Sequence, residues 1–222
     1  MTRRARPLSL ALTALVLFAG FAALGSWQLV RLQWKTALIE RVNARVHAAP
    51  VAPPAEAGGH DYLRVRVTGR FLHRLAVPVQ AVTVLGPGFW VLTPLERVDG
   101  SIILVNRGYV PKFVPEPVAR SAPVEVTGLL RLSEPGGAFL RNNDARHGRW
   151  YSRDVAAIAK AQGLQPVAPY FIDAEAWPQG AANWPVGGLT VIAFHNNHLV
   201  YALTWYALAA MVAGAWFYLR RH

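Results

Sequence analysis

Two stretches of this chain run for about twenty residues without a charge: Leu8 to Trp27 near the amino end and Leu199 to Leu219 near the carboxyl end. A helix needs roughly 20 apolar residues to cross a bilayer, so both predict transmembrane helices. Beyond the first, Val30, Trp34, Leu38, Val42 and Val46 recur every four residues, with Arg31, Lys35, Glu40, Arg41 and Arg45 on other faces. That period predicts an amphipathic continuation of the helix. It ends before the stretch from Ala48 to Gly59, where Pro50, Pro53 and Pro54 forbid regular helix. From Tyr62 the period changes to two. Leu63, Val65 and Val67 alternate with Arg64, Arg66 and Thr68, and similar runs follow at Leu75–Val82, Gly88–Glu96, Ile102–Val110 and Val124–Leu132. Turn signals at Gly86-Pro87-Gly88 and Asp99-Gly100 bound these strands. One helix interrupts them, with Ser152 as N-cap, Asp154 in its first turn, Val155 to Gln162 as its body and Gly163 closing it. A last strand, Leu189 to Phe194, leads into the second apolar run. The pattern predicts a membrane protein in which two transmembrane α-helices flank a small, antiparallel, β-rich α+β domain.

Charge sets the orientation. The chain of 222 residues has a formal charge of +11. Arg3, Arg4 and Arg6 precede the first apolar run, and Arg220 and Arg221 follow the second. Without these five, 18 basic residues face 12 acidic ones, a surplus of six. Positive flanks at both ends place residues 1–7 and 220–222 in the cytoplasm, spans at 8–27 and 199–219, and residues 28–198 outside the cytoplasm. Trp216, Phe217 and Tyr218 before the final arginines make an aromatic belt. A cleaved secretory signal is the competing reading of the first run, with Ala23, Leu24 and Gly25 as a small-x-small cleavage site. Its apolar core exceeds the usual 7–15 residues, and the helical pattern continues past the supposed cut. No central cluster of basic residues interleaved with aromatics marks a nucleic-acid surface. The chain has no cysteine, which excludes disulfides, thiolate catalysis, iron–sulfur clusters and covalent haem attachment.

Enzymatic signatures are missing from the sequence: no HExxH, nucleophile elbow, phosphate-binding glycine loop or paired-carboxylate motif occurs. Pro135-Gly136-Gly137 reads as a turn. Three clusters remain. In Phe194-His195-Asn196-Asn197-His198-Leu199 the histidines are three apart and would share a face of a helix. His198 would also share a face with Tyr201, Ala202 and Trp205. A histidine beside small and aromatic residues is suited to ligate a haem iron; equally, it suits an interfacial helix end capped by Asn196 and Asn197. The second cluster is Trp27-Gln28, Arg31 and Trp34-Lys35. Gln28, Arg31 and Lys35 form one polar, cationic edge, either for haem propionates or a partner's carboxylates, or as an ordinary interface anchor. The third, Asn106-Arg107-Gly108-Tyr109-Val110-Pro111, reads as a bulged strand end and structural corner. Arg141 to Asp144 and Arg149 to Arg153 make a polar loop, either a partner-facing surface or a satisfied network.

These residues carry a family resemblance. Leu24-Gly25-Ser26-Trp27-Gln28 with Arg31 and Trp34-Lys35, Gly88 to Leu95, Leu104 to Pro111, Arg149 to Asp154, and Asn196 to Trp205 occur in the order found in the surfeit-locus-protein-one (Shy-type) family of cytochrome c oxidase assembly factors. The chain resembles that family over nearly its whole length. The resemblance implies a role, with no enzymatic activity, in maturing subunit I of haem–copper oxidase, receiving haem a from its synthase and aiding its insertion. His198 matches the family's histidine at the second span and would be the axial iron ligand. Tyr201, Trp205, Gln28, Arg31, Trp34 and Lys35 complete the implied cofactor site. Oxidase subunit I, haem a synthase and membrane lipid are the implied partners. His195 departs from the family's more usual arginine, and Tyr109 from a tryptophan. Two other readings stay open: a scaffold without cofactor that holds subunit I intermediates, with Gly20, Gly25, Ala209, Ala210 and Gly214 allowing close helix approach, and a membrane-bound enzyme, which no motif supports. No Arg/Ser-rich presequence precedes the first span, which points to a bacterial inner membrane with a periplasmic central domain.

Overall fold

The computed structural model describes residues 5–116, 120–138, 140–176, 185–192 and 194–221. Arg3 and Arg4 of the basic amino-terminal flank, and His222, lie outside the described residues. The structure divides into two compact units, Met1–Arg41 with Ile192–His222, and Val42–Val191.

The first unit is built from two helices. Helix α1 covers Ala5–Val46, its last residues belonging to the second unit, and helix α3 covers His198–Arg221. Each is long and apolar enough to cross a membrane by length and composition. α1 passes Trp27 without a break, as the four-residue recurrence predicts. Three hydroxyl groups are absorbed by their own helices: Thr13 and Ser26 of α1 donate to the carbonyls of Ser9 and Ala22 at 3.0 and 2.9 Å, and Thr204 of α3 to Val200 at 2.9 Å. Back-bonding of this kind leaves no hydroxyl unpaired in an apolar helix. Leu12, Leu15, Val16, Leu203, Met211 and Phe217 point outward and are exposed.

The second unit is β-rich. Strands β1 (Arg64–Phe71), β2 (Val77–Thr83), β3 (Gly86–Glu96), β4 (Ile102–Val110) and β5 (Val124–Leu132) match the alternating runs within a few residues. A small hairpin, β6 (Gly137–Ala138) and β7 (Arg141–Asn142), precedes helix α2 (Val155–Gln162) and strand β8 (Val167–Ala174). The sheet order is β1-β5-β8-β4-β3-β2, and β1 also pairs with β3. The long strand β3 makes this possible. Its first part lies against β2, with Val77 opposite Leu92, while Leu95 and Glu96 lie opposite Phe71 and Arg70 of β1. Five strands therefore close on themselves, and β2 extends the hairpin beyond the ring. One core fills the inside of the ring, including Val65, Phe71, Leu95, Ile103, Leu130, Tyr170 and Ile172. A second lies outside it, where Trp150 and the Val155 and Ile158 face of α2 cover Val79, Leu92, Leu104 and Phe171. β4 and β8 contribute alternate residues to both cores, so both faces of these strands are buried.

Four expectations need correction. β8 pairs with β4 in parallel, so the sheet is mixed, and this strand was not expected. The described residues of Leu189 to Phe194 form no strand. The N-cap of α2 is Asp154, whose carboxylate accepts from Ala157 N at 3.0 Å; Ser152 is buried and bonded to Asn143 instead. The turn between β2 and β3 is Val84-Leu85, while Gly86-Pro87-Gly88 already lies in β3. The Asp99-Gly100 hairpin stands as expected, with Gly100 at φ +78°, as do Pro135-Gly136 in a turn and Gly163 closing α2 at φ +64°.

Candidate functional site

In the first unit, the partly or fully buried positions of α1 include Ala11, Ala14, Phe21, Gly25, Gln28, Leu32 and Lys35, and those of α3 include His198, Ala202, Trp205, Ala209, Val212 and Trp216. Neighbours within each set are separated by three, four or seven residues. This is the heptad seam of two helices packed side by side, and here they run antiparallel. Phe21 stacks on Trp205, centroids 5.7 Å apart at 23°. Small residues make the approach possible. A Cβ on Gly25 would lie 2.9 Å from the ring of Tyr206, and Ala202 and Ala209 are buried opposite. The Tyr206 hydroxyl lies 3.0 Å from Ser26 Oγ. The single Ser26 proton goes to the Ala22 carbonyl, so Tyr206 is the donor.

One turn beyond Gly25, at the start of α3, the seam turns polar. His198 Nδ1 lies 2.7 Å from Gln28 Oε1. The amide oxygen carries no hydrogen, so Nδ1 is the donor, and in the neutral form of an imidazole held this way the lone pair lies on Nε2. No partner for Nε2 occurs among the described residues. A neutral imidazole oriented through Nδ1 with Nε2 open is the arrangement of a metal-ligating histidine. Around it, Asn196 Nδ2 donates to Thr36 Oγ1 at 3.4 Å, and Asn196 Oδ1 is buried without a partner among the described residues. Lys35 Nζ lies over the Phe194 ring at 5.3 Å, and the Arg31 guanidinium over Trp34 at 4.9 Å.

The structure thus brings Gln28, Lys35 and His198 to one seam and leaves Arg31 and Trp34 on its exposed flank. Trp205 faces Phe21. Tyr201 is 54% exposed and points away from the seam. His195 precedes the helix and is exposed, so the two histidines do not share a helical face. Among the described residues no group of three or more His, Asp or Glu residues is placed to hold a metal ion.

The second unit holds a polar network that sequence reasoning left open between surface and structure. Asp173, 4% exposed at the end of β8, accepts from Asn106 Nδ2 at 2.8 Å, Arg153 at 3.1 Å, Arg131 at 3.3 Å and Thr190 Oγ1 at 3.1 Å. Arg153 also grips Glu134 at 2.5 and 3.1 Å. Burial opposes the charge of Glu134, but Arg153 outweighs it and holds the carboxyl below its usual range. Burial likewise opposes the Arg153 charge, and the carboxylates of Glu134 and Asp173 raise it above its ordinary value. A cavity of about 250 Å³ adjoins these groups, with Trp90 and Leu189 in its wall. The corner at Asn106-Arg107-Gly108 is structural, as expected. Gly108 has φ +129°, and a Cβ there would lie 2.2 Å from the Val186 carbonyl, where Tyr109 and Val186 exchange backbone hydrogen bonds at 2.9 Å. Arg107 pairs with Glu116 and lies 3.1 Å from His73 Nδ1. Burial lowers the His73 pKa, Glu116 opposing this and Arg107 adding to it.

Comparison with known proteins covers both helices and the β-rich unit. The SURF1 family matches residues 15–210. Surfeit locus protein 1 of Mus musculus is 35% identical over 218 residues, spanning 87% of this chain and 70% of its own length. A SURF1-like protein of Monosiga brevicollis is 36% identical over 218 residues, with 89% and 82% covered. Surfeit locus protein 1 of Takifugu rubripes is 33% identical over 219 residues, with 87% and 90% covered.

Proposed function

The chain belongs to the SURF1 family, and we propose from this that it is a cytochrome c oxidase assembly factor that holds haem a through His198 and hands it on to oxidase subunit I. The 2.7 Å contact of His198 Nδ1 with Gln28 Oε1 carries the reading, because it orients the ring through Nδ1 and leaves Nε2 as the nitrogen free to ligate iron. Bound haem would supply a redox-active iron centre and two propionate carboxylates. His198 would take the iron. Lys35 and the exposed Arg31 supply cations for the propionates. Gln28, expected on that cationic edge, has its amide oxygen on His198. Trp205 is held by Phe21 deeper in the seam and bounds the apolar floor rather than stacking on the ring of His198. The reading includes no catalytic turnover.

In the same reading α1 and α3 span a bacterial inner membrane, both termini are cytoplasmic and the β-rich unit is periplasmic. The outward-facing Leu, Val, Met and Phe side chains of both helices suit lipid, and Arg220 and Arg221 suit the cytoplasmic side. Subunit I and haem a synthase are the proposed partners. The test is the visible spectrum of detergent-purified protein co-produced with haem a synthesis. Wild type carries haem and His198→Ala does not; an unchanged haem spectrum in the alanine variant overturns the ligand assignment.

A scaffold without cofactor has one observation in its favour. Gly25 and Ala209 are spent inside the seam, whereas Gly20, Ala210 and Gly214 are exposed on the outer faces and free for another helix. Co-purification with oxidase intermediates in the absence of haem would favour it.

A further inference from the structure

We infer that Gln28 is the positioning residue for His198, fixing the imidazole in its Nδ1–H tautomer and aiming Nε2 as the donor to iron. The inference rests on the haem reading above and assigns to Gln28 a task distinct from the cationic edge formed by Arg31 and Lys35.

Geometry makes the case. Gln28 lies three residues from Gly25 and His198 four from Ala202, one turn each from small residues that are buried in the seam. Below the pair, the Tyr206–Ser26 hydrogen bond and the Phe21–Trp205 stack set the register of α1 against α3. Both side chains are only partly exposed, and at 2.7 Å the contact is short for a neutral N–H···O bond. An imidazole has two nitrogens whose lone-pair directions diverge, so a partner on one fixes both the ring plane and the nitrogen left for a metal. Chemistry adds a second argument. The usual orienting partner is a carboxylate or a backbone carbonyl. A carboxylate would draw the Nδ1 proton away and make Nε2 a stronger donor to ferric iron. The neutral amide orients the ring without that charge, which suits a ligand that must release what it holds.

The experiment uses the full chain in detergent and three variants: Gln28→Leu, Gln28→Glu and His198→Ala. Nitrogen-15 NMR of histidine-labelled, haem-free protein reads the tautomer directly, the His198 signals being those lost in His198→Ala. The expected result is a protonated Nδ1 in wild type and a shift of the proton toward Nε2 in Gln28→Leu. A proton on Nε2 in wild type overturns the inference. Haem titration then gives a Kd about 10- to 100-fold weaker in Gln28→Leu. Gln28→Glu recovers the affinity and lowers the reduction potential of the bound haem. If wild type binds haem, His198→Ala does not, and Gln28→Leu matches wild type in affinity and potential, the inference fails while the haem reading stands. If wild type takes up no haem, the haem reading fails, and the tautomer measurement still decides whether Gln28 positions the ring.

Discussion

Replacing Asp173 by Asn tests how much of the β-rich unit hangs on one buried carboxylate. The substitution keeps shape and volume but removes the charge and turns one acceptor into a donor. Two arginine N–H groups now point at that oxygen pair from 3.1 and 3.3 Å, so one of them would face an NH2 group. Breaking a buried pair by removing one partner costs about 3–5 kcal/mol. The effect here is smaller, because neither arginine is left bare. Arg153 keeps its bidentate grip on Glu134, and Arg131 keeps Asp61 at 3.2 Å and the face of Tyr62 at 4.4 Å. The two side chains are also 15% and 17% exposed, so water recovers part of the loss. A figure of about 3 kcal/mol follows, from one charge-assisted hydrogen bond lost outright at about 1.5–3 kcal/mol and a second weakened. For a unit of this size that is a fall of roughly 6–12 °C in Tm. Near-UV circular dichroism of the purified full chain during heating measures it, since Trp90 lines the cavity beside the network. A variant that melts within about 2 °C of wild type would refute the view of Asp173 as the common acceptor of a coupled network.

Gly25→Val should disturb the helix pair, because the first added carbon already meets the Tyr206 ring at 2.9 Å. Overpacking of this kind costs about 1–3 kcal/mol and separates Ser26 from Tyr206. The chain has no native cysteine, so spin labels at Leu29→Cys and Leu199→Cys report the change as a longer, broader distance distribution; an unchanged distribution contradicts the close-packed seam. His73 predicts an acid sensitivity in the second unit. Burial lowers its folded pKa below the ordinary 6.5, so between the two values the unfolded chain binds more protons and stability rises with pH. The Tm should therefore fall as pH drops below about 6.5, and His73→Gln should flatten that part of the profile. A slope that survives the substitution assigns it to other groups.

Much of the second unit was legible because β1 and β2 alternate, while β3 and β4 read as β-branched and aromatic runs on either side of the Asp99-Gly100 turn. β1 reads Arg-Val-Arg-Val, with one face in the ring core and one in solvent, and period two is what such a strand leaves in a sequence. β8 leaves no such trace. It lies between β4 and β5 with both faces buried, so Tyr170 to Ile172 run apolar without alternation. Pro169 also argues against a central strand. The structure resolves this locally: the ladder with β5 starts only at Tyr170, and the register with β4 shifts between Ile102 and Leu104. The proline thus sits where the strand needs least from its backbone. Leu189 to Phe194 is an apolar run with β-branched residues at its centre, yet its described residues join no ladder; Thr190 turns its hydroxyl to Asp173.

The site was legible in its parts and not in its pairing. Periodicity along α1 places Gln28 and Lys35 on one stripe, and periodicity along α3 places His198 with Ala202. Neither shows that Gln28 and His198 meet, 170 residues apart. That is decided by which stripes can pack, and the information lies in the small residues. Gly25 admits an aromatic ring on α1, while Ala202 and Ala209 are spaced by seven on α3. Tyr206, between them, fills the space at Gly25, and its hydroxyl then finds Ser26. Once that contact is set in an antiparallel pair, moving three residues toward the carboxyl end of α1 arrives at Gln28. Moving toward the start of α3 arrives at His198. Gly25 and Ser26 therefore do more than accompany the neighbouring tryptophan: they set the register that delivers an amide oxygen to an imidazole nitrogen.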